Sequence, residues 1–513
     1  MSYTITRFLL LMMACATLAA CAVNPVTGKN ELSLISPEQE VAIGRQNYEP
    51  SQQAQGGAYY LDKRLQSYVA GVGQKLAAVS DRPGLPYEFV VLNNPVPNAW
   101  ALPGGKIAIN SGLLAHLEDE AQLAAVLGHE IVHAAARHGA SQMSKGMLLN
   151  VGTQIAGVAS QQAGYGSLGG VAAQLGSAAW MARYGRDDEL ESDAYGVLYM
   201  KRAGYDLQAA VELQETFVKL SGNRQSGFVD GLFASHPPSQ TRVNRNRERV
   251  AELGTGGVRN REAYQKHIAQ IKKDQPAYEA QQKAIKALNE KKPSEAMGYL
   301  DQAIRVQPND GYSWELRGHA WEMSNETAKA QQAFTTAIGK NPNYFSHYLA
   351  RGVLLYKEGK KTAARPDLQR SYELLPTNAA SYYLGEMAYS AGDTKKALGY
   401  YQQVAQMDNA MGRDARQKMV RMELPQAPHK YIPSQTYIGK DGYLRVVIQN
   451  QAGVEVAGVR IELAQASGGS KVLQGPSRLA AGQRWEVNTK IGPFSDAAEA
   501  GRYRVRVVAA SVP

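Results

Sequence analysis

Pro308, Pro342 and Pro376 stand 34 residues apart, and Ala410 falls where a fourth would come. Ala296, Ala330 and Ala364 keep the same interval, as do Gly318 and Gly352, followed by Gly385 and Ala397 one residue early. A period of this length constrains the fold more than any composition does. Each unit is a helix pair that cannot bury its own apolar face, so three or four must stack into an α-solenoid with a concave surface for protein partners. The repeat covers roughly residues 276–410, and a chain of 513 residues is expected to hold two to four domains in all.

The 34-residue unit, with a small residue in each helix and a proline at its end, resembles the tetratricopeptide repeat. After it, Leu424 to Pro433 is proline-rich and reads as a linker. The runs Leu444–Ile448, Val459–Leu463 and Tyr503–Val507 then alternate in strand fashion between glycine-containing turns, which predicts a small all-β sandwich. At the other end, Arg7 precedes an apolar run from Phe8 to Ala20 that is too short to span a bilayer and has the layout of a secretory signal. It closes on Leu18-Ala19-Ala20-Cys21, which looks like a bacterial lipoprotein cleavage site and implies lipidation of Cys21, with Ala22 favouring the outer membrane. Cys15 leaves with the signal, so Cys21 has no intramolecular partner and a disulfide framework is excluded. The formal charge of +10 is scattered, with no block of five or six like charges, which argues for a solvated basic surface and against nucleic acid. The organisation read here is 1–20 signal peptide, 21–255 catalytic domain, 256–422 repeats, 423–434 linker and 435–513 β-sandwich.

Chemistry concentrates in His129-Glu130-Ile131-Val132-His133. Residues four apart on a helix share a face, so two imidazoles reach one metal ion and Glu130 lies beside it. Periodicity predicts a helix over 119–138, with Asp119 as cap, Gln122 completing a capping box, Leu123, Val126, Leu127, Ile131 and Val132 as its apolar stripe, and Gly139 as its stop. Two His ligands and one carboxylate leave zinc a fourth position for a reactive water. Glu189 and Asp193 on a second helix are the downstream acids, and Glu191 is a rival carboxylate. His138 lies off the ligand face, second to the metal shell or exposed, and His116 has no arguable role. Residues 140–180, rich in Ala and Gly, suit loosely packed helices or a cover over the site, and not a membrane span.

The run Asn98 to Leu114, the motif helix and Glu189-Leu190-Glu191-Ser192-Asp193-Ala194-Tyr195-Gly196 together resemble the zinc metallopeptidases related to the CAAX prenyl protease and heat-shock protease X. Within them the chain is most similar to the periplasmic, BepA-like branch with tetratricopeptide repeats, as the opening Asn24-Pro25-Val26-Thr27-Gly28 also suggests. The resemblance covers residues 21–250 and, by architecture, the repeats; the last domain lies outside it. It implies an α+β, zincin-like and mostly helical catalytic domain, one Zn2+ per chain, Glu189 as third ligand, and Asp193 hydrogen-bonded to a ligand imidazole, with Ser192 standing where Ala is usual. Glu130 is then the general base. Ser235 to Arg242 resembles the family's His-Pro…Arg segment, which implies that His236 approaches the metal in a self-inhibited state and that Arg242 stabilises the site or the oxyanion. The strand Lys106–Asn110 is expected, also by resemblance, to be the edge along which an extended substrate adds.

These readings converge on a zinc-dependent endopeptidase in the periplasm, anchored to the outer membrane. Its substrates would be unfolded periplasmic or outer-membrane proteins, and its repeats would recruit partners such as an outer-membrane assembly machine. The alternative is a chaperone or scaffold for that assembly, with a latent metal site.

Overall fold

The structure is a computed structural model that describes residues 21–157, 184–222 and 230–513. Residues 1–20, expected to be a signal sequence, and the larger part of the Ala/Gly-rich segment lie outside the described residues. The chain divides into two compact units between Arg351 and Gly352.

The first unit opens with the antiparallel pair β1 (Cys21–Val23) and β2 (Asn30–Leu32). Helices Pro37–Ala54 and Lys63–Ala77 follow, capped by Ser36 and Asp62. A three-stranded sheet is built from β3 (Glu88–Leu92), β4 (Ala99–Leu102) and β5 (Lys106–Asn110) in the order β3-β5-β4. β5 pairs parallel to β3 and antiparallel to β4, so it is central and not an edge, contrary to the sequence expectation. Its side chains are all buried, including Lys106, as a strand covered on both faces requires.

The motif helix runs Glu120–Ala135 and is buried at every position, not along one stripe. Helices Lys63–Ala77, Arg186–Arg202 and Gln208–Gly222, together with β4 and β5, pack around it. Asp119 caps it by accepting from the Gln122 N–H, but the Gln122 side chain accepts from Glu118 N–H, so the reciprocal half of the capping box is missing. Nor does Gly139 stop the helix. Arg137 takes the left-handed conformation (φ 66°), and a new helix begins at His138. The conformation is fixed from outside: Arg137 Nε donates to Glu40 Oε2 at 3.0 Å and Nη2 to the Ile35 carbonyl at 2.6 Å, all of them buried. No described helix is long and apolar enough to cross a membrane.

Helix Gln240–Leu253, capped by Ser239, and the short helix Arg261–His267 lead into the repeats. Helix pairs Ala269–Asn289 with Pro293–Val306, and Gly311–Met323 with Thr327–Lys340, follow the 34-residue period. The small residues do what their spacing implies: a Cβ at Gly318 would meet the Phe334 ring at 2.3 Å, so only glycine lets these two helices touch. The repeats are hydrogen-bonded to the part that carries the motif helix, within the same unit. Tyr60 OH donates to the Asn309 carbonyl (3.0 Å) and accepts from Gly311 N–H (2.8 Å), Asn93 Nδ2 donates to Asp310 (3.2 Å), and Gln53 Nε2 donates to the Asn343 carbonyl (2.7 Å).

In the second unit, helices Lys361–Leu374, Asn378–Ser390, Thr394–Val404 and Ala410–Glu423 continue the period. The stretch expected as a linker instead carries a short helix, Pro428–Tyr431, and buries Leu424 and Ile432 in the core of the β domain. The sheet β11-β7-β6 (Arg484–Asn488, Leu444–Gln449, Ser434–Ile438) and the sheet β10-β8-β12 (Arg478–Leu479, Val456–Gln465, Tyr503–Ser511), with β9 (Ser470–Gln474) also on β8, share that core. The three strands read from the sequence are β7, β8 and β12.

Candidate metal centre

Two helices make the site, and glycine sets their distance. Gly128 on the motif helix faces Gly196 on Arg186–Arg202: a Cβ at Gly196 would lie 3.1 Å from His129 N, and one at Gly128 would lie 3.2 Å from the Gly196 carbonyl. This close crossing carries the Glu189 carboxylate to the two motif imidazoles from about sixty residues away in sequence.

His129 Nε2 and His133 Nε2 are 3.1 Å apart, and Glu189 lies 3.5 Å from the first and 3.4 Å from the second. His236, from the segment before helix Gln240–Leu253, joins them with Nδ1 2.8 Å from Glu189 Oε1 and 3.4 Å from His129 Nε2. One donor atom from each of His129, His133, Glu189 and His236 lies within 4.8 Å of all the others, and all four residues are buried. Three imidazoles and a carboxylate form a donor set that suits zinc. Glu130 sits beside them, its Oε1 3.5 Å from His236 Nε2; Glu130 Oε2 and His236 Nε2 have no hydrogen-bond partner among the described residues. Buried polar atoms left this way point to a missing ligand. The residues present therefore fit a metal ion.

A second layer holds these groups. His129 Nδ1 lies 3.0 Å from Asp193 Oδ1. Arg242 donates to Asp193 through Nε (2.6 Å) and Nη2 (2.7 Å), and its Nη1 is 2.8 Å from Glu189 Oε2. The guanidinium that sequence reading offered to the site or the oxyanion is thus committed to two carboxylates, and Gln214 Nε2 approaches the same Asp193 at 3.4 Å. The rival Glu191 turns elsewhere, to His138 Nε2 at 3.3 Å. Tyr184, which sequence reading passed over, stacks on His133 with ring centroids 3.7 Å apart and donates to the Ala101 carbonyl on β4 at 3.3 Å. No local pattern marks it, since it lies outside the helix spacing of the motif and reaches His133 from far along the chain.

Charge follows the packing. Burial opposes a proton on His129, but Glu189 and Asp193 outweigh it and raise its pKa to about 10. Burial holds His133 well below the ordinary imidazole value, so the two rings do not both charge. Burial pushes the Glu130 carboxyl up, against the pull of His236 and His129. It also acts on Glu189 and Asp193, but their neighbours outweigh it: the His236 and His129 rings hold Glu189 far below the carboxylate range, and Arg242 holds Asp193 low. A cavity of about 40 Å³ touches His129, Glu130 and His236, enough for water and too small for a peptide residue. A wider cleft of about 410 Å³ opens on the Tyr184, Glu189, Pro237 and Arg242 side.

Residues 63–250 match peptidase family M48. The chain is 31% identical over 193 residues to metalloprotease YcaL of Escherichia coli (strain K12), covering 37% of this chain and 70% of that protein. The chain belongs to peptidase family M48. Other M48-type relatives match less of themselves: the beta-barrel assembly-enhancing protease of Escherichia coli (strain K12) is 28% identical over 236 residues, 45% of this chain and 47% of its own length. The Arabidopsis thaliana mitochondrial metalloendopeptidase OMA1 is 32% identical over 166 residues, 32% of each chain. The chain thus spans less than half the length of the assembly-enhancing proteases it matches. Residues 319–379 and 349–412 match the tetratricopeptide repeat. A solved tetratricopeptide-repeat protein of Thermus thermophilus, TTC0263, aligns at a TM-score of 0.23 and 16% identity over 44% of this chain and 94% of its own.

Proposed function

We propose that this M48 chain is a zinc-dependent endopeptidase, and the observation that carries the proposal is the meeting of His129, His133 and Glu189 with Glu130 beside them. His129, His133 and Glu189 would hold the zinc ion, which when bound would supply a Lewis acid for a peptide carbonyl and for a water at neutral pH. Glu130 is the general base: its buried carboxylate takes the proton of the attacking water and returns it to the leaving amine. Asp193 accepts from His129 Nδ1–H and so keeps the Nε2 lone pair turned to the ligand position, while Arg242 fixes Asp193 and Glu189 in turn. His236 would stand against the metal position in a resting, self-inhibited state, a reading supported by its distance to Glu189 and by a cavity that excludes a peptide. The β4 edge, with Tyr184 on the Ala101 carbonyl, is the strand to which an extended substrate adds, a mode that favours unfolded segments.

Likeness to assembly-enhancing proteases supports a role in quality control of stalled or misfolded periplasmic and outer-membrane proteins. The repeats recruit those substrates or the assembly machinery, and lipidated Cys21 anchors the chain to the outer membrane. The closed site also favours a second reading, a scaffold whose metal centre is latent. Casein cleavage separates the two: wild type and His236→Ala cut, the latter faster, while Glu130→Gln or a chelator stops cleavage. A wild type and His236→Ala that both hold zinc and cut nothing leave the scaffold.

A further inference from the structure

His133 and His129 receive different support. His129 rests on a carboxylate, whereas the atom facing His133 Nδ1 is another imidazole nitrogen, His138 Nδ1, at 2.9 Å. On an unbroken helix a residue five places on lies about 140° around the axis and cannot touch His133. The left-handed turn at Arg137 swings His138 back over it and leaves it 1% exposed.

Resting on the metal site argued above, we propose that His138 is a positioning residue for His133, held in place by Glu191 and Asn24, so that the amino-terminal hairpin is tied to the metal centre. Donors and acceptors along this path fit in one direction only. His133 must keep the Nε2 lone pair free toward Glu189 and His129, so its proton sits on Nδ1 and is donated to His138 Nδ1. His138 then carries its proton on Nε2 and donates it to Glu191 Oε1 at 3.3 Å; Asp188 Oδ1 lies farther off at 4.0 Å. Asn24 Nδ2 donates to the same Glu191 oxygen at 2.8 Å and to Glu31 Oε1 at 2.7 Å. Its amide cannot flip, because Oδ1 accepts from the N–H of Val26 (2.9 Å) and of Thr27 (3.3 Å). Asn24 is 2% exposed and belongs to the turn between β1 and β2, three residues after Cys21. Every polar atom in this path is matched, which a chance contact between buried histidines would not produce.

The test is zinc affinity of the full chain by chelator competition, with the visible spectrum of the Co2+ form as a second readout of ligand geometry. His138→Phe removes the acceptor and weakens zinc about 10–100-fold, the usual effect of losing such a partner. His138→Asn returns an acceptor oxygen near the Nδ1 position and restores most of the affinity and the Co2+ spectrum, which a purely structural role would not do. Asn24→Ala weakens zinc about fivefold, the size of one hydrogen bond. If His138→Phe does not fold, Glu191→Ala takes its place with the same expected direction. Unchanged affinity in His138→Phe, or Phe and Asn variants that behave alike, overturns the proposal while leaving the metal site intact. A wild type that binds no zinc overturns the metal site itself, and the relay with it.

Discussion

At the scale of single residues, the site is a set of carboxylates that would be unstable alone. Glu189 is buried and ionised because imidazoles and Arg242 surround it, and Asp193 because Arg242 grips it on two sides. Replacing Glu189 by Gln keeps the shape and removes the charge; the expected outcome is zinc lost on dialysis and casein cleavage reduced about 100-fold or more, measured by metal analysis beside the assay. Asp193→Asn leaves Glu189 in place, and its expected effect is about 10–100-fold weaker zinc binding. The motif histidines were legible in the sequence because helix geometry is local: four residues apart means one face; the roles of Glu189 and Asp193 came from the family resemblance. The contact of His138 with His133, and the place of Tyr184, were not legible. His138 is brought in by a break in the helix that Glu40 enforces from a hundred residues away, and Tyr184 reaches His133 from far along the chain.

At the scale of elements, two contacts decide how well helices sit. The Gly128–Gly196 crossing leaves no room for a branched side chain, so Gly196→Val is expected to cost about 1–3 kcal/mol in urea unfolding and to lower metal content at the same time. The second contact joins neighbouring repeat helices: Glu315, buried, lies 2.5 Å from His347 Nδ1 and accepts from Ser346. Burial alone would raise the Glu315 carboxyl; His347 and Ser346 outweigh it and lower the pKa below its ordinary 4.5. A depressed folded-state value stabilises above the unfolded value and is lost as pH falls through the folded one. Melting of the wild type therefore declines below pH 4.5. Glu315→Gln, which removes one partner of a buried pair, is about 3–5 kcal/mol less stable at neutral pH and shows a flatter acid limb. The repeat helices were readable from proline and glycine spacing, but strand order was not. Whether Lys106–Asn110 lies inside or at the rim depends on which strands pair, and alternation along one strand carries no record of that.

At the scale of the whole molecule, boundaries drawn from composition and the units of the fold differ. Sequence reading put a domain end near residue 255, where the motif-bearing part stops and the repeats approach. The compact unit runs on to Arg351. The reason is chemical: Tyr60, Asn93 and Gln53 have their hydrogen-bond partners at Asn309, Gly311, Asp310 and Asn343, inside the repeats. Periodicity reports where a repeat is, not what its first members lean on. A fragment 21–255 is therefore expected to aggregate or to melt far below the full chain, whereas 21–351 melts cooperatively and keeps its zinc, both measured by calorimetry with metal analysis. Such a joint also changes what deletion experiments mean. Trimming the first two repeats would damage the half that carries the metal site directly, so a lost phenotype would say nothing about recruitment; only cuts beyond Arg351 can tell a missing partner from a broken metal site.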